Sequence, residues 1–170
     1  MPGLQITTDS ASATEALGAD LGTLLNPGSF LALKGDMGGG KTCFTRGLVS
    51  TLAPESAHLV ASPTYAIMNS YPGNITVHHF DFYRLTGDND IAELGFEDYF
   101  YDAVCVIEWS ERLDELLPSD VLILLFEHLG KNRRLISITG SGQKSDEVIS
   151  QLKEIIRMKK NFDQRAEYLL

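Results

Sequence analysis

Eight consecutive residues carry the strongest chemical signal in this 170-residue chain: Gly35-Asp36-Met37-Gly38-Gly39-Gly40-Lys41-Thr42, spaced as G-x-x-x-x-G-K-[ST]. Glycines at this density let successive backbone N–H groups turn inward and cradle phosphate oxygens, and a following helix adds the positive potential of its N-terminus. The Lys41 ammonium can reach the outer phosphates, and the Thr42 hydroxyl can ligate Mg²⁺. Asp36, Met37, Gly38, Gly39, Gly40, Lys41, Thr42 and Cys43 are therefore the candidate nucleotide-binding residues. The competing reading is a glycine-rich turn that happens to precede Lys-Thr, and the strand and helix signals on its two sides argue against that.

A phosphate loop works with an acid near the metal, held at a neighbouring strand end. Glu108 ends the apolar run Ala103 to Ile107, and Asp81 ends Ile75 to Phe80 in the same manner. Either could be a solvated strand-end acid. A loop that brings Lys41 and Mg²⁺ together demands a carboxylate nearby, which makes Glu108 and Asp81 both candidates for the site.

The elements that must hold these groups follow from pattern. Leu4 to Thr7 is β-prone, and Asp9 or Ser10 can cap a helix running to about Leu25, which Asn26-Pro27-Gly28 breaks. Ser29 to Lys34 reads as a buried strand, and Lys41 to about Leu52 as a helix closed by Pro54. Tyr65 to Tyr71 and Ile75 to Asp81 form one expected hairpin around Pro72-Gly73-Asn74; Val121 to Leu129 and Arg134 to Thr139 form a second. Short helices are expected over Ile91 to Tyr99 and Leu113 to Leu117, and an amphipathic one over Asp146 to Met158. Ala103 to Ile107, apolar throughout, suits a central parallel strand. The class is α/β, with a mixed, mainly parallel central sheet carrying antiparallel hairpins. One domain is expected over residues 1–158, followed by a polar C-terminal tail at 159–170.

Composition bounds the partners. Fourteen Lys and Arg against 23 Asp and Glu give a net charge of −9, which argues against a chain that grips nucleic acid by itself. No apolar run approaches the roughly 18–20 residues of a membrane span, and Met1 to Gln5 lacks the regions of a secretory signal. Cys43 and Cys105 make no disulfide framework and read as packing residues, so a cytoplasmic location is expected.

Taken together, GDMGGGKT at 35–42 with Arg46-Gly47, SPTY at 62–65, HFDFYRL at 79–85, LGFEDYF at 94–100 and IEWSERL at 107–113 resemble the TsaE (YjeE) family of bacterial tRNA threonylcarbamoyladenosine biosynthesis. The matching stretches span roughly Phe30 to Leu113. The resemblance implies a three-layer P-loop NTPase fold that binds and hydrolyses ATP with Mg²⁺. It also implies a role beside TsaD and TsaB, which place threonylcarbamoyl on adenosine 37 of tRNAs reading ANN codons, with tRNA met only through that complex. By the same resemblance Lys41 is the phosphate lysine, Thr42 and Glu108 are magnesium positions, and Asp81 is an essential strand-end aspartate. Thr64 falls in a switch-like segment where its hydroxyl could sense the γ-phosphate, and Trp109 lies beside the site. Met37, Gly39 and Ser110 depart from the usual Leu, Ala and Pro without removing a polar group.

Other residues carry less. His78 and His79 point to opposite faces of a strand and cannot chelate one ion together; His79 is expected to support Asp81. Lys131 and Arg134, in the second hairpin turn, are candidate nucleotide contacts, against the alternative of a solvated turn. A small-molecule kinase would need a mobile arginine lid, for which only Lys131 to Arg134 offers the chemistry. A GTPase would need an Asn-Lys-x-Asp signature that is absent from the sequence, and a non-hydrolysing nucleotide-binding adaptor is the third rival.

Overall fold

A computed structural model describes residues 3–85, 93, 95–113 and 116–167. Among these, seven strands form one sheet: β1 (Leu4–Thr8), β2 (Phe30–Lys34), β3 (Met68–Tyr71), β4 (Val77–Asp81), β5 (Val104–Glu108), β6 (Leu122–His128) and β7 (Arg134–Gly140). Their order across the sheet is β1-β7-β6-β2-β5-β4-β3. At the centre, β6, β2, β5 and β4 run parallel, while β1, β7 and β3 add antiparallel pairings outside them. Strands β2 and β5 are buried along nearly their whole length, as expected of central parallel strands.

Alternation along the strands sorts their side chains into two cores. Leu31 and Leu33 of β2, Val104 and Val106 of β5, and Val77 of β4 share one core with Leu17 and Leu21 of α1 (Ala11–Gly22), Phe44 and Leu48 of α2 (Lys41–Leu52), and Ile149 and Leu152 of α3 (Gln143–Glu167). Phe30, Ala32, Phe80, Cys105 and Ile107 face the other way, onto Phe82, Phe100 and Leu113. Among the described residues, 3₁₀ turns at Phe96–Tyr99 and Ser110–Arg112 stand on that second face.

Helix α1 starts at Ser10, whose hydroxyl accepts from the Ala13 N–H, and ends at Gly22 rather than Leu25. Helix α2 has the bounds its flanking glycine and proline dictate. The first hairpin is shorter than its pattern suggests. Tyr65 to Ile67 leave the sheet in a turn closed by Ile67 N–H donating to the Pro63 carbonyl, with Ile67 at φ 68°. That turn carries residues 62–64 back towards Asp81. In the 91–99 stretch, Phe96–Tyr99 is a 3₁₀ turn rather than α-helix, and Ile91 and Leu94 lie outside the described residues. The helix expected at Leu113 to Leu117 includes residues 114 and 115, which also lie outside them. Helix α3 runs on to Glu167, past Met158, with Lys159 donating to the Asp20 carboxylate of α1 at 2.6 Å.

Candidate active site

Strand β2 ends at Lys34, and the chain passes through the glycine loop directly into α2. Gly35 sits at φ 128°, and a Cβ there would lie 2.3 Å from the Phe126 carbonyl oxygen of β6, so only glycine lets the loop leave this close to its neighbouring strand. Gly40, at φ 102°, is the N-cap of α2; a Cβ on it would strike the Arg134 side chain at 2.9 Å. Helix α2 begins with no side-chain cap and no acidic residue in its first turn. Its first N–H groups and its positive end thus face whatever occupies the loop, which is the arrangement that binds phosphate.

Lys41 lies almost fully buried at the start of α2. Its Nζ donates to the carbonyls of Gly35 at 2.7 Å and Asp36 at 2.8 Å, and it stands 5.3 Å from the centroid of the Trp109 ring. Two of three ammonium protons are engaged by the loop itself, which holds the charge over the cavity floor. Trp109 adopts a left-handed backbone conformation, φ 59°, immediately after β5. That turn swings the indole across Lys41 and against Tyr83, with ring centroids 5.0 Å apart.

Parallel pairing of β4 with β5 sets Asp81 and Glu108 in register at the strand ends. Both point to the same face as Val77 and Val106, the face packed by α2, and both are buried. A cavity of about 360 Å³ opens there, lined by the loop from Met37 to Cys43 and by Ser62, Thr64, Asp81, Tyr83, Glu108 and Trp109. Asp81 is held on three sides. Its Oδ2 accepts from Ser62 Oγ at 2.9 Å and Thr64 Oγ1 at 2.8 Å, and its Oδ1 accepts from the Tyr83 N–H at 2.8 Å.

Glu108 has a different partner. His79 Nε2 donates to Glu108 Oε1 at 2.8 Å, and neither side chain has appreciable solvent contact. The expectation that His79 supports Asp81 is therefore corrected. The two lie on the same face of β4 but two residues apart, and the imidazole reaches sideways onto β5 while Asp81 is taken up by the 62–64 segment. Among the described residues, His79 Nδ1 is buried without a hydrogen-bond partner.

The donor set fits a small, hard divalent cation. Thr42, Asp81 and Glu108 bring only oxygen to the cavity, and among the described residues no cluster of three His, Cys, Asp or Glu could cage a metal by itself. Mg²⁺ is commonly held in this way, by one or two protein oxygens with phosphates and water completing the shell.

Of the remaining candidates, Arg134 reaches the loop and Lys131 does not line the cavity. Arg134 Nε donates to the Gly39 carbonyl at 3.1 Å and its guanidinium also reaches the Asn132 carbonyl at 2.8 Å, so β7 braces the loop from outside. Lys131 is exposed at φ 48° in a tight turn in which Arg133 N–H donates to the Gly130 carbonyl. A turn this short supplies no lid. Cys43 lines the cavity edge, its thiol raised above the usual range by partial burial and by the nearby Glu15 carboxylate; Cys105 in β5 is pushed up to about 12 by burial. Sequence reasoning missed three features of the site: the His79–Glu108 bond, the hydroxyls of Ser62 and Thr64 on Asp81, and the tilted contact of Tyr83 with Trp109. Ser62 stood within the SPTY stretch, but only the folded loop shows it bonded to Asp81.

A strand–glycine loop–helix unit facing two strand-end carboxylates across one cavity defines a phosphate-loop protein of the α/β class. The TsaE family model, threonylcarbamoyl adenosine biosynthesis protein TsaE, matches residues 8–136. The chain is 33% identical over 162 residues to the tRNA threonylcarbamoyladenosine biosynthesis protein TsaE of Rickettsia conorii, covering 95% of this chain and 91% of that one. It is 31% identical over 154 residues to the protein of the same description from Bacillus subtilis, covering 89% of this chain and 95% of its relative. The crystal structure of Bacillus subtilis YdiB superposes with a TM-score of 0.74 at 27% identity, covering 90% of this chain and 95% of that one. The chain belongs to the TsaE family.

Proposed function

We propose that this chain is the ATP-binding and ATP-hydrolysing component of tRNA threonylcarbamoyladenosine biosynthesis, a Mg²⁺-dependent cytoplasmic ATPase that acts on a TsaB–TsaD complex. The observation that carries the reading is the shared cavity: Lys41, Thr42, Asp81 and Glu108 line one space beside the uncapped start of α2. The loop amides of Gly38 to Lys41 would hold the β- and γ-phosphates, and the Lys41 ammonium would balance charge as it shifts towards the leaving oxygen. Thr42 and Glu108 would hold Mg²⁺, which when bound neutralises charge on the phosphate oxygens. Asp81 would orient the attacking water through the oxygen that also accepts Ser62 and Thr64.

The 62–64 segment gives this site a dependence on its surroundings. Thr64 Oγ1 is engaged by Asp81, so contacting a γ-phosphate requires it to exchange that bond, which makes turnover by the isolated chain slow. A docked partner that stabilises the exchanged arrangement would change the rate, as ordered switch segments do elsewhere. The net charge of −9 favours docking on a basic protein–tRNA assembly over direct contact with tRNA. Action on adenosine 37 of tRNAs reading ANN codons is part of the same proposal, supported by membership of the TsaE family. The test is reconstitution of threonylcarbamoyl transfer with TsaB, TsaD and tRNA. Multiple-turnover product that requires this chain and ATP, and fails with Lys41→Ala, supports the reading. Product formed equally without the chain, or equally with Lys41→Ala, rejects it.

A further inference from the structure

We infer that His79 is a positioning residue for the metal-ligating carboxylate: a buried donor that fixes Glu108 in the orientation needed to take a divalent cation. The inference rests on the reading of Glu108 as a Mg²⁺ ligand. Its ground is the juxtaposition of two buried groups on neighbouring strands. His79 is fully buried, and its Nε2 lies 2.8 Å from Glu108 Oε1. Glu108 stands one position past His79's register partner Val106 on that face, at the strand end. The imidazole is fixed in turn: it lies 6.4 Å from the Tyr71 ring, tilted at 37°, and its strand is paired on both sides. A side chain locked by packing and donating one hydrogen bond sets the carboxylate plane of its acceptor.

The geometry of the pair suits this role: the imidazole holds one carboxylate oxygen by a single hydrogen bond from the neighbouring strand. With Oε1 engaged, Oε2 is the acceptor left for the ion, and Glu108 lines the cavity. A buried glutamate without this donor would rotate or lose its preference for the cavity, and metal affinity would fall while the phosphate loop remained unaltered. Removing such an outer partner typically lowers metal affinity about 10–100-fold.

The experiment measures nucleotide binding by the full chain through Trp109 emission, with and without Mg²⁺, alongside Mn²⁺ binding to the ADP complex followed by electron paramagnetic resonance. The variants are His79→Leu, His79→Gln, Glu108→Gln and the double variant His79→Leu with Glu108→Gln. His79→Leu should raise half-saturating Mg²⁺ and the Mn²⁺ dissociation constant about tenfold, while ADP affinity in EDTA stays within about twofold of the wild type. His79→Gln, which retains an N–H donor, should recover part of the loss, and its intermediate value stands as the test where leucine is not tolerated in the core. In the double variant His79→Leu should add little to Glu108→Gln, because the histidine acts through that carboxylate. Wild-type metal affinity in both folded His79 variants, or full additivity in the double variant, overturns the inference and leaves the functional reading standing. A wild-type chain whose nucleotide binding ignores both cations overturns the two together.

Discussion

Asp81 and Glu108 are register partners on adjacent parallel strands, yet each carboxylate is held by a different part of the chain: Asp81 by Ser62 and Thr64, Glu108 by His79. The division suits the two acids to different proposed work. An acid tied to a loop can respond when that loop moves, whereas an acid tied to a neighbouring strand stays in place. The proposed metal ligand is the fixed one and the proposed water-orienting acid is the coupled one.

Lys41 brings its charge to the cavity on two loop carbonyls, those of Gly35 and Asp36. Lys41→Ala is expected to lower ATP turnover at least about 100-fold, in keeping with the loss of a transition-state charge contact, while thermal unfolding stays within a few degrees of the wild type. Steady-state hydrolysis and a melting curve on one preparation check both halves.

Thr42→Ala and Glu108→Gln each remove or weaken an oxygen donor. Each should shift the Mg²⁺ dependence of turnover to higher concentration. Coincident Mg²⁺ curves for Glu108→Gln and wild type would move the metal role to Asp81.

Trp109 is the sole tryptophan of the chain, and its ring lies 5.3 Å from Lys41 Nζ. Nucleotide that draws the ammonium onto phosphate should change the emission. A fluorescence titration that stays flat while calorimetry records binding would place the nucleotide elsewhere.

Gly35 and Gly38 offer a contrast in stability. Gly35→Ala combines a positive φ with a Cβ 2.3 Å from a backbone carbonyl, and should cost about 2–4 kcal/mol. Gly38→Ala meets nothing within 4 Å and carries only the strain of φ 78°, about 1–2 kcal/mol. Urea unfolding of the two variants should rank them in that order.

Cys105, with its thiol pushed up to about 12 in the fold against 9.0 unfolded, stays protonated where the unfolded chain ionises. Its contribution to stability is complete below about pH 9 and is lost as pH rises from about 9 to 12, by at most about 1.4 kcal/mol per pH unit. Cys105→Ala should flatten that alkaline slope, measured as denaturant midpoints across the range.

Much of this was legible from residue pattern because the signals were local. The bounds of α2 follow from Gly40 and Pro54, and the buried run at Val104 to Ile107 marks a central strand without knowledge of its neighbours. The loop, Asp81 and Glu108 could be singled out for the same reason. What the pattern could not carry depends on register and long reach. His79 meets Glu108 only because β4 and β5 pair as they do, and Arg134 reaches Gly39 across 95 residues of sequence. Tyr65 to Ile67 read as strand by composition, but tying Ser62 and Thr64 to Asp81 takes them out of the sheet.

The proposed hydrolysis of ATP at this cavity, in concert with the threonylcarbamoyl transfer proteins, is read out by steady-state ATP turnover with Mg²⁺. The chain and its Asp81→Asn variant are each measured alone and with TsaB and TsaD. Slow hydrolysis by the chain alone, a changed rate with the two proteins, and loss of both activities in Asp81→Asn are the expected results. Turnover that is indifferent to the partners and to Asp81→Asn would rule out both the partner coupling and the role proposed for Asp81.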